Sequence, residues 1–373
     1  MYILWLAIAA IISYVLAHLL LRWSQKTGLG QQKLRSRDLH DKPTPRIGGF
    51  AIVTTFLILM IAIVVIYGDQ NWGNFGFAYK IFSVPIDKRL LGILLSATVL
   101  SSIMIYDDFK GAPAISKLGF QIISAVILIF TGVGLVYLNN PFGNTIYLDS
   151  LKIPFQIGAD VYHLVFWADL FLIIWVLLLT NAANFIDGLD GLAVTLSLIS
   201  IVIIGVLSYL IGQSSTALMC TILSGGIIGF LPFNLPIGGK AKMFLGDTGA
   251  MFLGLMLAIL TVISGGKLAT VLLVFGLAIV DALYVIAKRI IEGKNPLTTA
   301  DQSHLHHRFI HAGFSKLATL GIITGFSLLF GISGLMFTGR IKIYLLAVLI
   351  AGAFIMFYML DNRSFKSKVS KMK

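Results

Sequence analysis

Sixteen of the 373 residues are acidic, and five of them stand in three short polar stretches. Asp107 and Asp108 open Asp107-Asp108-Phe109-Lys110-Gly111. Asp187 and Asp190 close Asn181-Ala182-Ala183-Asn184-Phe185-Ile186-Asp187-Gly188-Leu189-Asp190-Gly191, and Asp247 lies in Gly246-Asp247-Thr248-Gly249. Two adjacent aspartates can be a solvated helix end. Like charges this close repel, however, and a bound cation or a raised pKa normally resolves the conflict. A hard cation such as Mg²⁺ takes a few carboxylates together with phosphate oxygens and water, which several loop aspartates could supply. The glycines of the second stretch could be turn formers, yet Asn-x-x-Asn-x-x-Asp-Gly-x-Asp-Gly sets polar groups at near-helical spacing. Gly246–Gly249 could be an ordinary helix N-terminus with Asp247 as its cap, and such an end also offers free N–H groups to an anion.

Two more clusters are basic. One is His40-Asp41-Lys42-Pro43-Thr44-Pro45-Arg46-Ile47-Gly48-Gly49, and the other is Asp301-Gln302-Ser303-His304-Leu305-His306-His307-Arg308. The histidines could suggest zinc, but no cysteine accompanies them and their neighbours are basic. They read better as donors and protonatable groups beside an anion. Together the five stretches describe a site for a phosphorylated substrate, in which carboxylates hold a metal and Lys, Arg, His and backbone amides hold oxyanions. Phosphoryl transfer rests mostly on positioning and charge stabilisation.

The elements that must position these groups are membrane spans. The chain is 58% hydrophobic and 12% charged, against roughly 25% charged for a soluble protein. Its apolar residues fall in runs near the ~20 needed to cross a bilayer as helix. The reading is an all-α integral membrane protein with eleven spans: Tyr2–Leu21, Gly48–Tyr67, Leu90–Tyr106, Leu118–Leu138, Val161–Thr180, Gly191–Ile211, Ala217–Phe233, Ala250–Ser264, Leu268–Ala287, Leu317–Phe337 and Ile343–Leu360. Ala250–Ser264 is the shortest. No strand alternation suggests a barrel, the other way to satisfy backbone groups in lipid. The first run has no basic residues before it and is too long for a signal-peptide core, so it reads as a retained span. A Gly143-Asn144 turn predicts a small outer hairpin within 139–160. No second domain is expected: residues 1–373 form one polytopic unit with polar loops near 22–47, 107–117, 181–190, 234–249 and 288–316.

If the spans alternate, 21 of the 28 lysines and arginines fall on one side, with all five aspartates of the polar stretches. The positive-inside rule makes that side cytoplasmic, with the N-terminus outside and the C-terminus inside. The net charge of +12 is then a topology signal that also attracts anionic headgroups, and no nucleic acid is implied. The single cysteine, Cys220, lies inside a span, so neither a disulfide framework nor a cysteine metal site exists. Asp281, inside the ninth span, is by default a functional hypothesis; its structural alternative is a pair with Lys288 or Arg289. Asp169 reads as interfacial.

At these five stretches, from about Asp38 to Phe314, the chain resembles the polyprenyl-phosphate N-acetylhexosamine-1-phosphate transferases (glycosyltransferase family 4), nearest the undecaprenyl-phosphate GlcNAc-1-phosphate transferase branch. The resemblance implies a bacterial cytoplasmic-membrane enzyme with its site facing the cytoplasm. It would transfer HexNAc-1-phosphate from a UDP-HexNAc donor to undecaprenyl phosphate and release UMP, with Mg²⁺ or Mn²⁺ as cofactor. Carried over by motif, Asp107 and Asp108 match the aspartate pair, with Asp107 the candidate base for the lipid phosphate. Asp247 matches the metal-binding aspartate, with Asp108 beside it. Lys117 matches a basic active-site residue. Asn184, Asp187 and Asp190 match the nucleotide-sugar motif, in which Asp187 is counted as catalytic, and Phe244 matches an aromatic that stacks on uracil. His304, His306, His307 and Arg308 match the histidine motif, near sugar or diphosphate. Ahead of His40 the chain departs from the branch, with Gln31-Gln32-Lys33-Leu34-Arg35-Ser36-Arg37 where Asp-x-Pro is common.

Two alternatives stay open. Phospho-N-acetylmuramoyl-pentapeptide transferases share the superfamily but usually carry Pro-Leu-His-His-His-Phe in the fifth stretch. A transporter of phosphorylated sugars or lipids would also need basic inner loops, although its acids would line a midplane path. The amino sugar, the downstream glycan (O-antigen of lipopolysaccharide, teichoic acid or another) and the oligomeric state, monomer or homodimer, are left open.

Overall fold

The computed structural model describes residues 1–31, 44–67, 78–81, 84–157, 160–265, 267–294 and 304–372. His40, Asp41 and Lys42 of the first polar stretch, and Asp301, Gln302 and Ser303 of the fifth, lie outside the described residues.

The chain is an all-α multi-pass membrane protein, with three small antiparallel hairpins among the described residues. Its helices are α1 (Tyr2–Thr27), α2 (Gly49–Tyr67), α3 (Lys88–Lys110), α4 (Ala114–Phe130), α5 (Phe166–Ile186), α6 (Leu192–Leu210), α7 (Ser214–Asn234), α8 (Gly246–Ile263), α9 (Leu268–Val274), α10 (Gly276–Ile291), α11 (Leu305–His311), α12 (Lys316–Met336) and α13 (Arg340–Met372). The hairpins pair β1 (Ala78–Ile81) with β2 (Val84–Asp87), β3 (Tyr137–Leu138) with β4 (Ile146–Tyr147), and β5 (Lys152–Ile157) with β6 (Asp160–Val165). α3 and α5 begin at these hairpins and end at the aspartates, so the hairpins occupy the end of the bundle away from the polar stretches.

Among the described residues nine helices are long and apolar enough to cross a membrane, or ten if α9 and α10 count as one broken span. Eleven were expected. The difference lies at α4, whose 17 residues reach about 25 Å at 1.5 Å per residue, short of a hydrocarbon core of about 30 Å. The apolar run continues past it to Leu138, but Gly132 in the left-handed region (φ 80°) ends the helix, and the chain then runs without helix to the two residues of β3. The fifth span likewise starts at Phe166, because Val161–Val165 belongs to β6. The ninth span is bent by 79° between α9 and α10.

The shortest of the expected runs is the centre of the molecule. Every residue of α8 from Gly246 to Val262 is buried, and the helix packs on α3, α5, α2 and α6. A helix that is apolar all round belongs inside a bundle. By contrast α1, α12 and α13 turn Ile3, Ile11, Leu19, Leu329, Met336, Val348, Ile355 and Tyr358 outward, an apolar periphery suited to lipid.

Candidate active site

Two helix ends meet where α3 stops and α8 starts. A helix N-terminus has free N–H groups and a partial positive charge, and here a carboxylate from another helix satisfies them. Asp108 Oδ1 accepts from the Asp247 amide (2.9 Å). Its Oδ2 accepts from the Thr248 amide (3.0 Å) and the Thr248 hydroxyl (2.7 Å). Gly246 makes this approach feasible. It sits at φ 76°, and a Cβ there would collide with the Arg46 carbonyl and crowd the Asp108 carboxylate.

Lys117, in the first turn of α4, bridges the neighbouring acids. Its Nζ donates to Asp107 Oδ2 (2.6 Å) and to Asp247 Oδ2 (2.5 Å). Asp107 Oδ1 also accepts from the Ala112 amide (2.6 Å), which closes the α3–α4 turn. Arg46 reaches Asp247 Oδ1 at 3.2 Å because residues 44–49 run beside residues 244–246. There Phe244 N donates to Pro45 O (2.7 Å), Gly48 N to Phe244 O (3.1 Å) and Gly49 N to Leu245 O (2.7 Å). Asp107, Asp108 and Asp247 each offer an oxygen within 4.8 Å of the others. Burial works against the charge of the half-buried Arg46, but Asp247, Asp108, Asp187 and Asp107 outweigh it and raise its pKa. Three carboxylates thus face two cations, Lys117 and Arg46.

Loops three and four are tied by Asn234. Its Oδ1 accepts from Gly191 N (3.1 Å) and its Nδ2 donates to Met243 O (3.1 Å). Asp190 is buried against the Ala241 amide (3.4 Å) and Lys316 (3.6 Å). Asp187 caps the C-terminus of α5, and its pKa is raised well above the usual range. Burial is the main cause, followed by Asp247, Asp108 and Asp190, with Arg46 opposing.

The histidine segment closes the third side. The ring of His304 lies against Phe185 (centroids 5.1 Å) and parallel to His306 (6.1 Å, 2°), and His306 meets His307 at 4.3 Å. His306 is held well below the ordinary histidine pKa by burial and by His307 and His304. Both its ring nitrogens are buried without a hydrogen-bond partner among the described residues. Its ring abuts Gly188, where a Cβ would overlap Nε2. A neutral imidazole has one donor and one acceptor nitrogen, so His306 holds two unused polar atoms beside loop three.

Known proteins are similar to this chain in sequence. Residues 90–265 match the model of glycosyl transferase family 4. The decaprenyl-phosphate N-acetylglucosaminephosphotransferase of Mycolicibacterium smegmatis is 31% identical over 309 residues, covering 75% of this chain and 68% of the relative. The chain belongs to glycosyl transferase family 4. A Bacillus subtilis relative described as a probable undecaprenyl-phosphate N-acetylglucosaminyl 1-phosphate transferase is 29% identical over 306 residues, 80% of this chain and 75% of the relative. The phospho-N-acetylmuramoyl-pentapeptide-transferase of Staphylococcus aureus is 26% identical over 333 residues, 88% of this chain and 96% of the relative. The protein is therefore a polyprenyl-phosphate sugar-1-phosphate transferase.

At this candidate site, Asp107, Asp108, Lys117 and Asp247 come together directly, and Asp187 lies within the electrostatic reach of Arg46, Asp108 and Asp247. Asn184 and Phe244 are half-buried, in the last turn of α5 and in the 44–49/244–246 pairing. His304, His306 and His307 gather beside Gly188. Arg308 is held elsewhere, with Nη1 2.8 Å from Asp361 and its guanidinium over Tyr284 (4.7 Å) and Phe357 (5.1 Å). Sequence reasoning left Arg46 without a role. The signal was present, since Arg46 lies in a quoted motif, but its partner is 201 residues away. It also missed Thr248 as a partner of Asp108. The pair expected for Asp281 is corrected: Lys288 approaches Glu292 (3.9 Å) and Arg289 lies over Phe185 (5.8 Å), while Asp281 meets His304.

Proposed function

We propose that this chain transfers N-acetylglucosamine-1-phosphate from UDP-GlcNAc to undecaprenyl phosphate, releasing UMP, at the cytoplasmic face of the membrane. The observation that carries the chemistry is the Asp107–Lys117–Asp247 bridge beside Asp108 and Arg46. It combines a carboxylate able to take a proton with cations able to hold phosphate oxygens. The donor rests on the GlcNAc transferases among the relatives and on the fifth stretch, which reads His304-Leu305-His306-His307.

Asp107 accepts a proton from the lipid phosphate, and the freed oxygen attacks the sugar-bearing phosphorus. A P–O bond forms there as the bond to the UMP oxygen breaks, so the sugar phosphate moves as a unit. Lys117 and Arg46 hold oxyanions of the two phosphorylated substrates, and Phe244 stacks on uracil. The carboxylate set suits a hard cation: Asp247 and Asp108, with Asp107 in reach, would hold Mg²⁺ or Mn²⁺. Bound there, the ion would neutralise charge on the diphosphate.

A second reading, transfer of a muramoyl-pentapeptide phosphate, is favoured by the 96% coverage of the S. aureus relative. The test is UMP release by purified protein given undecaprenyl phosphate and Mg²⁺ with UDP-GlcNAc, UDP-GalNAc or UDP-MurNAc-pentapeptide. Lipid- and metal-dependent UMP from UDP-GlcNAc is expected. Release from the pentapeptide donor alone would establish the second reading. Folded protein that releases UMP from none of the three would overturn the proposal.

A further inference from the structure

Asp281 is a carboxylate that the proposed reaction does not use. It is 3% exposed, inside α10, where burying a charge is costly unless it is fully partnered. Both its oxygens are committed to the histidine segment: Oδ1 accepts from the Leu305 amide (2.8 Å) and Oδ2 lies 2.9 Å from His304 Nδ1. A well-packed neutral residue could fill the space, so the carboxylate calls for a reason.

The reason lies in the imidazole. A carboxylate accepts at Nδ1, so Nδ1 carries a proton, and a ring protonated there alone keeps a lone pair on Nε2. Buried acceptors of this kind fix both tautomer and ring plane for histidines that work through the other nitrogen. Here Phe185 and the parallel ring of His306 hold the plane as well. No described residue bonds His304 Nε2, and this atom is not among the sealed polar atoms. We propose that Asp281 is a positioning residue that locks His304 with Nδ1 protonated, so that Nε2 accepts from an O–H or N–H group of the sugar. Phosphate oxygens are acceptors, and a lone pair would repel them. His304 thereby reads the sugar, while Lys117 and Arg46 hold the phosphates. This inference rests on the nucleotide-sugar reading above.

The first measurement is the ¹⁵N NMR spectrum of the histidine-labelled, detergent-solubilised full chain without substrate. The signal of His304, one of seven histidines, is identified by its loss in His304→Asn. The wild-type ring should be protonated at Nδ1. In Asp281→Asn the amide oxygen must take the Leu305 N–H, which turns the NH₂ toward Nδ1 and forces the proton to Nε2. With that tautomer, kcat/KM for UDP-GlcNAc should fall about 10- to 100-fold, while the KM for undecaprenyl phosphate stays within about twofold. His304→Asn keeps a donor toward Asp281 but has no Nε2, so it covers the case in which Asp281→Asn misfolds. It should fold and show the same loss. A wild-type ring protonated at Nε2, or full kcat/KM in His304→Asn, would overturn the inference. Failure of the donor reading is separate: wild-type protein would then release no UMP from UDP-GlcNAc, whatever its spectrum.

Discussion

Asp107 and Asp108 are adjacent, yet their carboxylates face different tasks. Asp108 spends both oxygens on the first turn of α8, which aims Asp247 and keeps the start of that helix against α3. Asp107 spends one oxygen on the Ala112 amide and the other on Lys117, an ammonium that a substrate phosphate could draw away. Removal of a general base typically costs 10²–10⁴-fold in rate, so Asp107→Asn should lower kcat by about that factor at every Mg²⁺ concentration. Thr248→Val deletes one hydroxyl bond to Asp108, a loss of about 1 kcal/mol. It should raise the Mg²⁺ concentration for half-maximal activity about fivefold and leave kcat at saturating Mg²⁺ within about twofold. A Mg²⁺ titration of UMP release separates the two effects, and a shared loss of kcat alone would refute the division of labour.

At the scale of elements, the site is a meeting of helix ends with two crossing strands of loop. Loop three and the histidine segment touch where the His306 ring rests on Gly188, a contact that leaves no room for a side chain. Gly188→Ala must displace either the ring or the loop. The expected result is a rise of about tenfold or more in KM for the UDP-sugar, with Mg²⁺ dependence and thermal stability close to wild type. An unchanged KM would mean that this contact does not shape the donor site. The polar stretches were legible because a membrane segment punishes stray charge, so aspartates and histidines stand out from an apolar background. Helix limits were less legible where apolar runs outlast the helix, as at Thr131–Leu138, or where polar residues belong to it, as at Gly246–Gly249. Pairings such as Arg46 with Asp247 or Asp281 with His304 span 201 and 23 residues. No period links such residues; the packing of whole helices brings them together.

For the whole molecule the open physical question is which way it faces. Lysines and arginines gather at the end of the bundle that holds the carboxylates, and crossing with that end outward would oppose the positive-inside tendency. The opposite end carries the hairpins, with Lys152 on β5 exposed beside Asp149 (2.9 Å). Cys220 is the only cysteine and is buried in α7, so a native background reacts little with thiol reagents and single cysteines can be placed at will. In intact bacterial cells with a permeable outer layer, Lys152→Cys should react with a membrane-impermeant maleimide, and Lys242→Cys only after the membrane is opened. UMP release by each variant would confirm its fold. Labelling of Lys242→Cys in sealed cells, with Lys152→Cys protected, would invert the molecule and place the UDP-sugar site outside. A cytoplasmic donor could not reach it there, and the proposed reaction would fail on supply even with every carboxylate in place.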